Sequence, residues 1–479
     1  MSKITYITTA IPYVNSRPHI GFALELVQAD AITRYNRLIG HGVRLQTGTD
    51  ENAFKNVLTA RELNVPTVEL VNKNAELFLK LAKALNISCD KFIRTTEPGH
   101  RRAVTHLWSQ LKPQDIYRKA YKGLYCTGCE DFYLERDLVN GRCPDHKIPP
   151  IEVQETNYFF RLSAYQDQLE QLLSKDVVKV VPETRKNEVL SFLRRGLQDF
   201  SISRAAHRSQ GWGIAVPGDP SQIVYVWVDA LINYISGLGY GTGDAWRQFW
   251  TESSTKIHVI GKNVWKFHAV YWPALLLSAR LPLPNEIVVH GFLTERGHKI
   301  SKSRGNAIDP FACVESFGTD AVRYYLLKAV SPFNDSDFSD DRLVQVYNSD
   351  LANGLGNLVS RVTSLCDRCD FGRYKTTSVQ EAPEGYHQAL RNYEFDKAVE
   401  SLRKVIACLN QDIDRAKPWE GLKANKDATL KPQLSAWLQE IQRVSFWLFP
   451  FLPETSEKIK AVLSERAIRS CGALLPRLK

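Results

Sequence analysis

A chain of 479 residues with 44% hydrophobic and 24% charged side chains has material for roughly two to four domains with real cores, and its composition is that of an ordinary globular protein. No apolar run approaches the roughly eighteen residues of a membrane span: Ala274-Leu275-Leu276-Leu277 is already bounded by Pro273 and Arg280, so no membrane partner is expected. A net charge of +10 suits a polyanionic partner without requiring one, and nine cysteines, three clustered with a histidine, fit a reducing compartment and a metal site better than a disulfide framework.

In chain order, Ile4-Thr5-Tyr6-Ile7-Thr8-Thr9 reads as a β-strand that begins too near the N-terminus to leave room for a leader, so a cytoplasmic protein is expected. Pro18-His19-Ile20-Gly21-Phe22 then opens a helical run, Ala23-Leu24-Glu25-Leu26-Val27. Backbone N–H groups at such a helix start attract anions, and a histidine there adds a donor aimed at phosphate. Gly21 lets a flat ring or a phosphate approach the backbone without meeting a Cβ. Val43 to Asp50 returns as a strand with a polar tip, so residues 1–96 have the alternation of a parallel α/β sheet. Ligands gather at the carboxyl ends of such strands, which is where Tyr13 and Asp50 fall.

The cysteine pattern comes next. Cys126-x2-Cys129-x13-Cys143-x2-His146 offers two short knuckles that can wrap one tetrahedral ion. Three thiolates and an imidazole suit zinc, and four protein ligands leave no open position, so the metal is expected to be structural. Cys366-x2-Cys369 lacks a partner pair and is read as packing. A second βαβ unit is legible at Lys256 to Gly261, a helix through Trp272 to Arg280, and Glu286 to His290. Gly237 to Gly243 is glycine-rich but lacks the dinucleotide-binding spacing, and no P-loop pattern is present. Lys299-Ile300-Ser301-Lys302-Ser303, between Gly297 and Gly305, sets two lysines and two hydroxyls in a cationic loop able to close over a triphosphate. Beyond about residue 345 strand patterning gives way to helical periodicity in Leu351–Leu365, Tyr393–Leu409 and Leu434–Leu448, with breaks at Pro418 and Pro453.

The segments around His19 and Lys302, in this order and spacing, resemble the HIGH and KMSKS signatures of class I aminoacyl-tRNA synthetases. Beyond those two, Ala10 to Asn15, Gly48 to Glu51, Asn157 to Ser163, Tyr225 to Tyr234, and Gly261 through Trp272-Pro273 resemble the methionyl-tRNA synthetase family over essentially the whole chain. The resemblance implies an aromatic cup for methionine from Ile11, Tyr13, Trp227, Leu231, Tyr234, Val264, His268 and Trp272, with Asp50 on the substrate ammonium. It assigns ATP to His19, Gly21, Phe22, Gly261, Asn263, His290, Gly291, Leu293 and Lys302, with Lys299 beside the pyrophosphate and magnesium accompanying the triphosphate. It also implies that Asn357, Arg361 and Trp419 read the anticodon of the tRNA partner. Phe22 stands where the signature usually carries its second histidine, Glu51-Asn52-Ala53-Phe54 replaces a more frequent Glu-His-Gly stretch, and Asn263 stands where an acidic residue is common.

The expected architecture is a Rossmann-type parallel-sheet catalytic domain in two halves, 1–96 and 225–296, around a connective insertion at 97–224 with the zinc knuckle. A loop and linking segment at 297–345 and an all-α anticodon-binding bundle at 346–479 follow. The expected substrates are methionine, ATP and tRNA. A monomer is expected because the chain carries no appended tRNA-binding module. The rivals are a synthetase for leucine or isoleucine, which would need a large editing insertion, and a catalytically idle paralogue that binds tRNA.

Overall fold

The computed structural model describes residues 3–133, 135–144, 147–241, 243–295, 297–300, 308–378, 381–423 and 427–479. The chain opens β1 (Ile4–Thr9), α1 (Ile20–Leu38), β2 (Gly42–Thr49), α2 (Phe54–Glu62) and β3 (Lys91–Arg94), and later supplies β4 (Lys179–Val181), β5 (Thr255–Gly261) and β6 (Glu286–His290). These strands form one parallel sheet of six in the order β3-β2-β1-β5-β6-β4. The β-branched and aromatic run of β1 is buried from Thr5 to Thr9, as a strand covered on both faces must be. The edge strand β4 comes from inside 97–224.

The residues fall into two compact units. One gathers Met1–Pro18, Gly40–Ala82 and Cys89–His290, and the other His19–Ile39, Lys83–Ser88 and Gly291–Lys479. The first unit holds the six-stranded sheet. Strand order reverses between β1 and β5, and in open parallel sheets the crevice outside the carboxyl ends at such a point is where ligands bind. Asp50, Asn263 and His290 sit at or just past the ends of β2, β5 and β6. Tyr13 pairs with Asp50 through an isolated parallel bridge. The cysteine knuckle grows from an antiparallel ladder in which Ile116–Cys126 pairs with Ile151–Phe160.

In the second unit, α3 (Thr319–Lys328), α4 (Asn357–Arg368), α5 (Phe395–Ala416), α6 (Asp427–Leu448) and α7 (Pro453–Leu463) realise the helical periodicity of the C-terminal third. Pro418 and Pro453 begin helices, where a missing N–H costs nothing. No helix among the described residues is long and apolar enough to cross a membrane.

This unit contains a fully buried ion pair. The Asp30 carboxylate of α1 receives Arg34 Nε and Arg323 Nη2 at 2.7 Å each, and Ser88 donates its N–H and hydroxyl at 2.7 and 2.6 Å. Arg323, from α3, also donates to the carbonyls of Leu85, Pro450 and Phe451 at 3.0, 2.9 and 3.2 Å. Burial alone would raise the Asp30 pKa, but Arg323, Arg34 and Ser88 together hold it below the ordinary value. Its stabilisation is therefore present above the unfolded-state pKa and lost as pH falls through the folded one. Removing one partner of such a pair leaves a buried charge, so Arg323→Met should cost about 3–5 kcal/mol in urea unfolding, with much of the loss recovered in Asp30→Leu/Arg323→Met.

Candidate active site

The acidic loop after β2 is set by backbone first. The Asp50 N–H donates to Pro12 O at 2.9 Å, which fixes Tyr13 and Asp50 side by side. Glycine is required at position 48, since a Cβ there would overlap the Ile93 carbonyl of β3. Glu51 turns the other way and is held by Arg94 Nε and Nη2 at 2.6 and 2.9 Å, by the Thr49 hydroxyl at 2.8 Å and by the Thr96 hydroxyl. Asp50 is 1% exposed, and its Oδ1 accepts only a long 3.3 Å bond from the Asn52 N–H. Its Oδ2 is buried and has no hydrogen-bond partner among the described residues.

A second carboxylate lies close by. Asp229, from the helix Val226–Leu231, is buried and accepts from His100 Nε2 at 2.6 Å and Asn52 Nδ2 at 2.7 Å. Burial pushes the Asp50 pKa well above the usual aspartate range, and the charges of Asp229, Glu130 and Glu51 push it further. A positive group delivered to Oδ2 would reverse that shift.

The aromatic residues expected in the cup fall into two groups of ring contacts. The Tyr13 and Trp227 rings are 5.8 Å apart, and Trp227 stacks on Phe267 at 4.0 Å and 6°. Tyr234 lies 5.6 Å from His268 and 6.1 Å from Trp272. His268 Nδ1 sits 2.9 Å from Val264 O, so it carries the proton, and Nε2 accepts from the Tyr234 hydroxyl at 2.6 Å. Burial brings the His268 pKa down to about 4 and that of His258, behind Tyr234, well below its usual value. Both imidazoles are neutral at pH 7. Leu231, Val264 and Trp272 are buried and Ile11 partly so. The wall is therefore uncharged, and Asp50 lies beside it next to Tyr13.

The residues expected on the nucleotide side fall in both units. In the first, a Cβ on Gly261 would meet Asn263 Oδ1 at 3.1 Å and the His290 ring at 3.7 Å, so these three crowd the end of β5. In the second, His19 is the N-cap of α1, its Nδ1 accepting from the Gly21 N–H at 3.1 Å, and Phe22 is buried in the first turn. Gly291 has no room for a Cβ beside the Asn334 carbonyl, and Leu293 is buried. Lys299 pairs with Thr294 through the backbone, while Lys302 lies outside the described residues.

Cys126, Cys129 and Cys143 place their sulfurs within 4.8 Å of one another, and the Tyr133 hydroxyl donates to Cys129 Sγ at 3.0 Å. Three convergent thiols in a half-buried knuckle can hold a metal ion. His146 lies outside the described residues. Cys366 and Cys369 are buried and belong to no such group among the described residues. Farther along, Arg361 bonds Asp414 at 2.6 Å and sits 5.9 Å over the Trp419 ring, with Asn357 exposed one turn earlier on α4.

Residues 5–149 and 146–363 match the family model for class I tRNA synthetases (M). The methionine--tRNA ligase of Thermotoga maritima is 40% identical over 95% of this chain and 74% of its own length. That of Thermosynechococcus vestitus is 39% identical over 100% of this chain and 93% of its own. The chain belongs to the methionine--tRNA ligase family. Among solved structures, Mycobacterium tuberculosis methionyl-tRNA synthetase in complex with methionyl-adenylate superposes with a TM-score of 0.89 at 37% identity, covering 100% of this chain and 97% of the other.

Family resemblance in the sequence pointed to the cup and to Asp50 but not to what holds them. Asn52, His100, Asp229 and Phe267 carry the hydrogen bonds and stacking that fix the site. Asp229 and Phe267 lie inside segments that resemble the family, whereas His100 gives no local signal. Tyr234→Phe removes the only donor seen at His268 Nε2, and a buried acceptor left unsatisfied should cost about 1–3 kcal/mol in chemical denaturation, with far-UV circular dichroism unchanged.

Proposed function

We infer that this chain catalyses methionine--tRNA ligation, activating methionine with ATP to methionyl-adenylate and pyrophosphate and then passing methionine to the terminal adenosine of its tRNA. The observation that carries the reading is the buried, half-unpartnered Asp50 carboxyl beside Tyr13 and the uncharged aromatic wall. A buried carboxylate with one unused oxygen has no packing purpose, and an α-ammonium group satisfies it. The flexible, polarisable thioether then packs among ring edges.

The chemistry is in-line attack of the methionine carboxylate on the α-phosphorus of ATP, with pyrophosphate leaving. The protein's part is positioning and preorganised charge. Asp50 fixes the amino end, and Tyr13, Trp227, Tyr234, Val264, His268 and Trp272 hold the side chain. By the resemblance, His19 serves phosphate oxygens through the ring nitrogen that the Gly21 N–H does not occupy, Lys299 and Lys302 offset charge on the leaving group, and Gly261, Asn263 and His290 meet ribose and adenine. Magnesium, when bound with ATP, would neutralise phosphate charge. Arg361 on the Trp419 face, with Asn357, suits stacking and hydrogen bonding to unstacked anticodon bases.

The deciding test is ATP–pyrophosphate exchange across a panel of amino acids. Methionine alone should support it. Equal exchange with leucine or isoleucine would refute the specificity, and none with any amino acid would leave a tRNA-binding paralogue. The raised Asp50 pKa adds a sign. Only the carboxylate pairs with an ammonium, so methionine binding releases a proton, and affinity should fall on acidification with a midpoint above the ordinary aspartate value. Asp50→Asn should weaken methionine binding by about 2–4 kcal/mol and abolish that pH dependence in titration calorimetry.

Zinc fits the knuckle, with Cys126, Cys129 and Cys143 joined by His146 as a closed, structural set that orders the loop and takes no part in the reaction. Elemental analysis under reducing conditions should find about one zinc per chain, and Cys143→Ser should bring that well below one.

A further inference from the structure

The knuckle touches the methionine pocket at two adjacent residues. Cys129 O accepts from Trp227 Nε1 at 3.1 Å. Glu130, the next residue, is 3% exposed, and its Oε1 accepts the Lys55 N–H at 2.8 Å. Burial pushes the Glu130 pKa up to about 7, and the Lys55 and Phe54 N–H groups act against that rise. These are the first residues of α2, whose N-cap, Ala53, supplies no side-chain acceptor. A carboxylate from elsewhere in the chain therefore caps the helix, satisfying orphan N–H groups at its positive end.

The capped turn is tied to the acidic loop. Asn56 Nδ2 of α2 donates to Glu51 O at 2.9 Å, and Asn52 N–H to Asp50 Oδ1 at 3.3 Å. Glu130 reaches this place through a left-handed backbone (φ 54°), a conformation that non-glycine residues adopt at a cost. Asn52, Phe54 and Glu130 line one small cavity together with Arg204, whose guanidinium lies 3.9 Å over the Tyr225 ring.

We propose that Glu130 is a positioning residue for methionine binding: by capping α2 it holds the loop that carries Asp50, while the neighbouring Cys129 carbonyl holds Trp227. The inference rests on the assignment of Asp50 and Trp227 to the methionine pocket. It makes the knuckle a support of two pocket walls, acting through hydrogen bonds that the protein itself supplies.

The test uses the full-length, metal-loaded chain. Methionine affinity is measured by calorimetry without ATP, together with zinc content and the KM for ATP, for the wild type, Glu130→Ala, Glu130→Gln and Asp50→Asn. Glu130→Ala should weaken methionine binding about tenfold, the scale of a lost charge-assisted bond felt at one remove, with zinc content and ATP KM within about twofold of wild type. Glu130→Gln keeps an acceptor oxygen and should recover most of the affinity. Unchanged affinity in Glu130→Ala, equal loss in Gln and Ala, or a matching rise in ATP KM overturns the proposal. If Glu130→Ala fails to fold or loses its metal, Phe54→Pro against Phe54→Ala reads the same contact. Proline fits the first helical position and removes the N–H that favours the Glu130 carboxylate, so it should bind methionine more weakly than the alanine variant, and equal binding overturns the proposal. If Asp50→Asn binds methionine normally, the pocket assignment itself has failed. Normal binding in Glu130→Ala beside weak binding in Asp50→Asn removes only the role of Glu130.

Discussion

The site depends on keeping a carboxyl group out of water at the end of β2. Asp50 is buried with one weak donor, and a second buried carboxylate, Asp229, is bridged to it by Asn52. Two negative charges in such a place would cost several kcal/mol each without partners. The fold answers asymmetrically. Asp229 receives two strong donors, from His100 and Asn52, while Asp50 receives one long bond and answers the penalty by rising in pKa. The unmet demand at Asp50 is one that an ammonium group, as in the proposed function, would satisfy. A carboxyl raised in this way also costs the folded state stability as pH climbs past the ordinary aspartate value. On the proposed function, methionine binding removes the free-energy deficit held at Asp50.

The aromatic wall beside that group adds no charge of its own. His258 and His268 are both neutral; the 2.9 Å bond to Val264 O sets the His268 tautomer, and His258 Nδ1 lies 2.7 Å from Thr8 Oγ1. Tyr234 connects the two, lying 4.1 Å from the His258 ring and donating to His268. Tyr6 in turn donates to Tyr234 O at 2.9 Å from β1, which ties the aromatic wall to the central sheet. The wall is polar enough to specify one arrangement, and it is uncharged, as the thioether of the proposed substrate requires.

How much of this was legible follows from which forces are local. The runs of β1, β2, β5 and β6, the helix after Gly21 and the C-terminal helices all announce themselves through periodicity and punctuation, although α5 runs on from Leu409 to Ala416 and α6 begins at Asp427 rather than Leu434. Strand ends carry ligands in parallel sheets, so Tyr13 and Asp50 could be singled out without contacts. The edge strand β4 has three residues and too little pattern to be seen. The polar bridges were invisible for a different reason: His100 and Asp229 are 129 positions apart, and Glu130 meets Lys55 across 75. Nothing in either local sequence marks the pairing. The same holds for Asp30 and Arg323, which secure the helix that begins at His19. Signature residues advertise themselves, while the side chains that hold them do not.

The departure at Asn52 shows why that distinction matters. Its backbone N–H bonds Asp50 whatever side chain it carries, so the capping of Asp50 survives substitution. Its amide donates one hydrogen to Asp229 Oδ2 at 2.7 Å and the other to Thr95 O at 3.2 Å. A histidine, the residue more often found there in the family by resemblance, carries two ring nitrogens and, when neutral, only one donor. It would have to become an imidazolium to make both bonds. Asparagine thus keeps both donors without adding a charge between two buried carboxylates. His100 supplies the other donor to Asp229, and on the proposed function the unpartnered oxygen of Asp50 is left for the substrate. The exchange is compatible with the site because it preserves donors at the place where acceptors outnumber them.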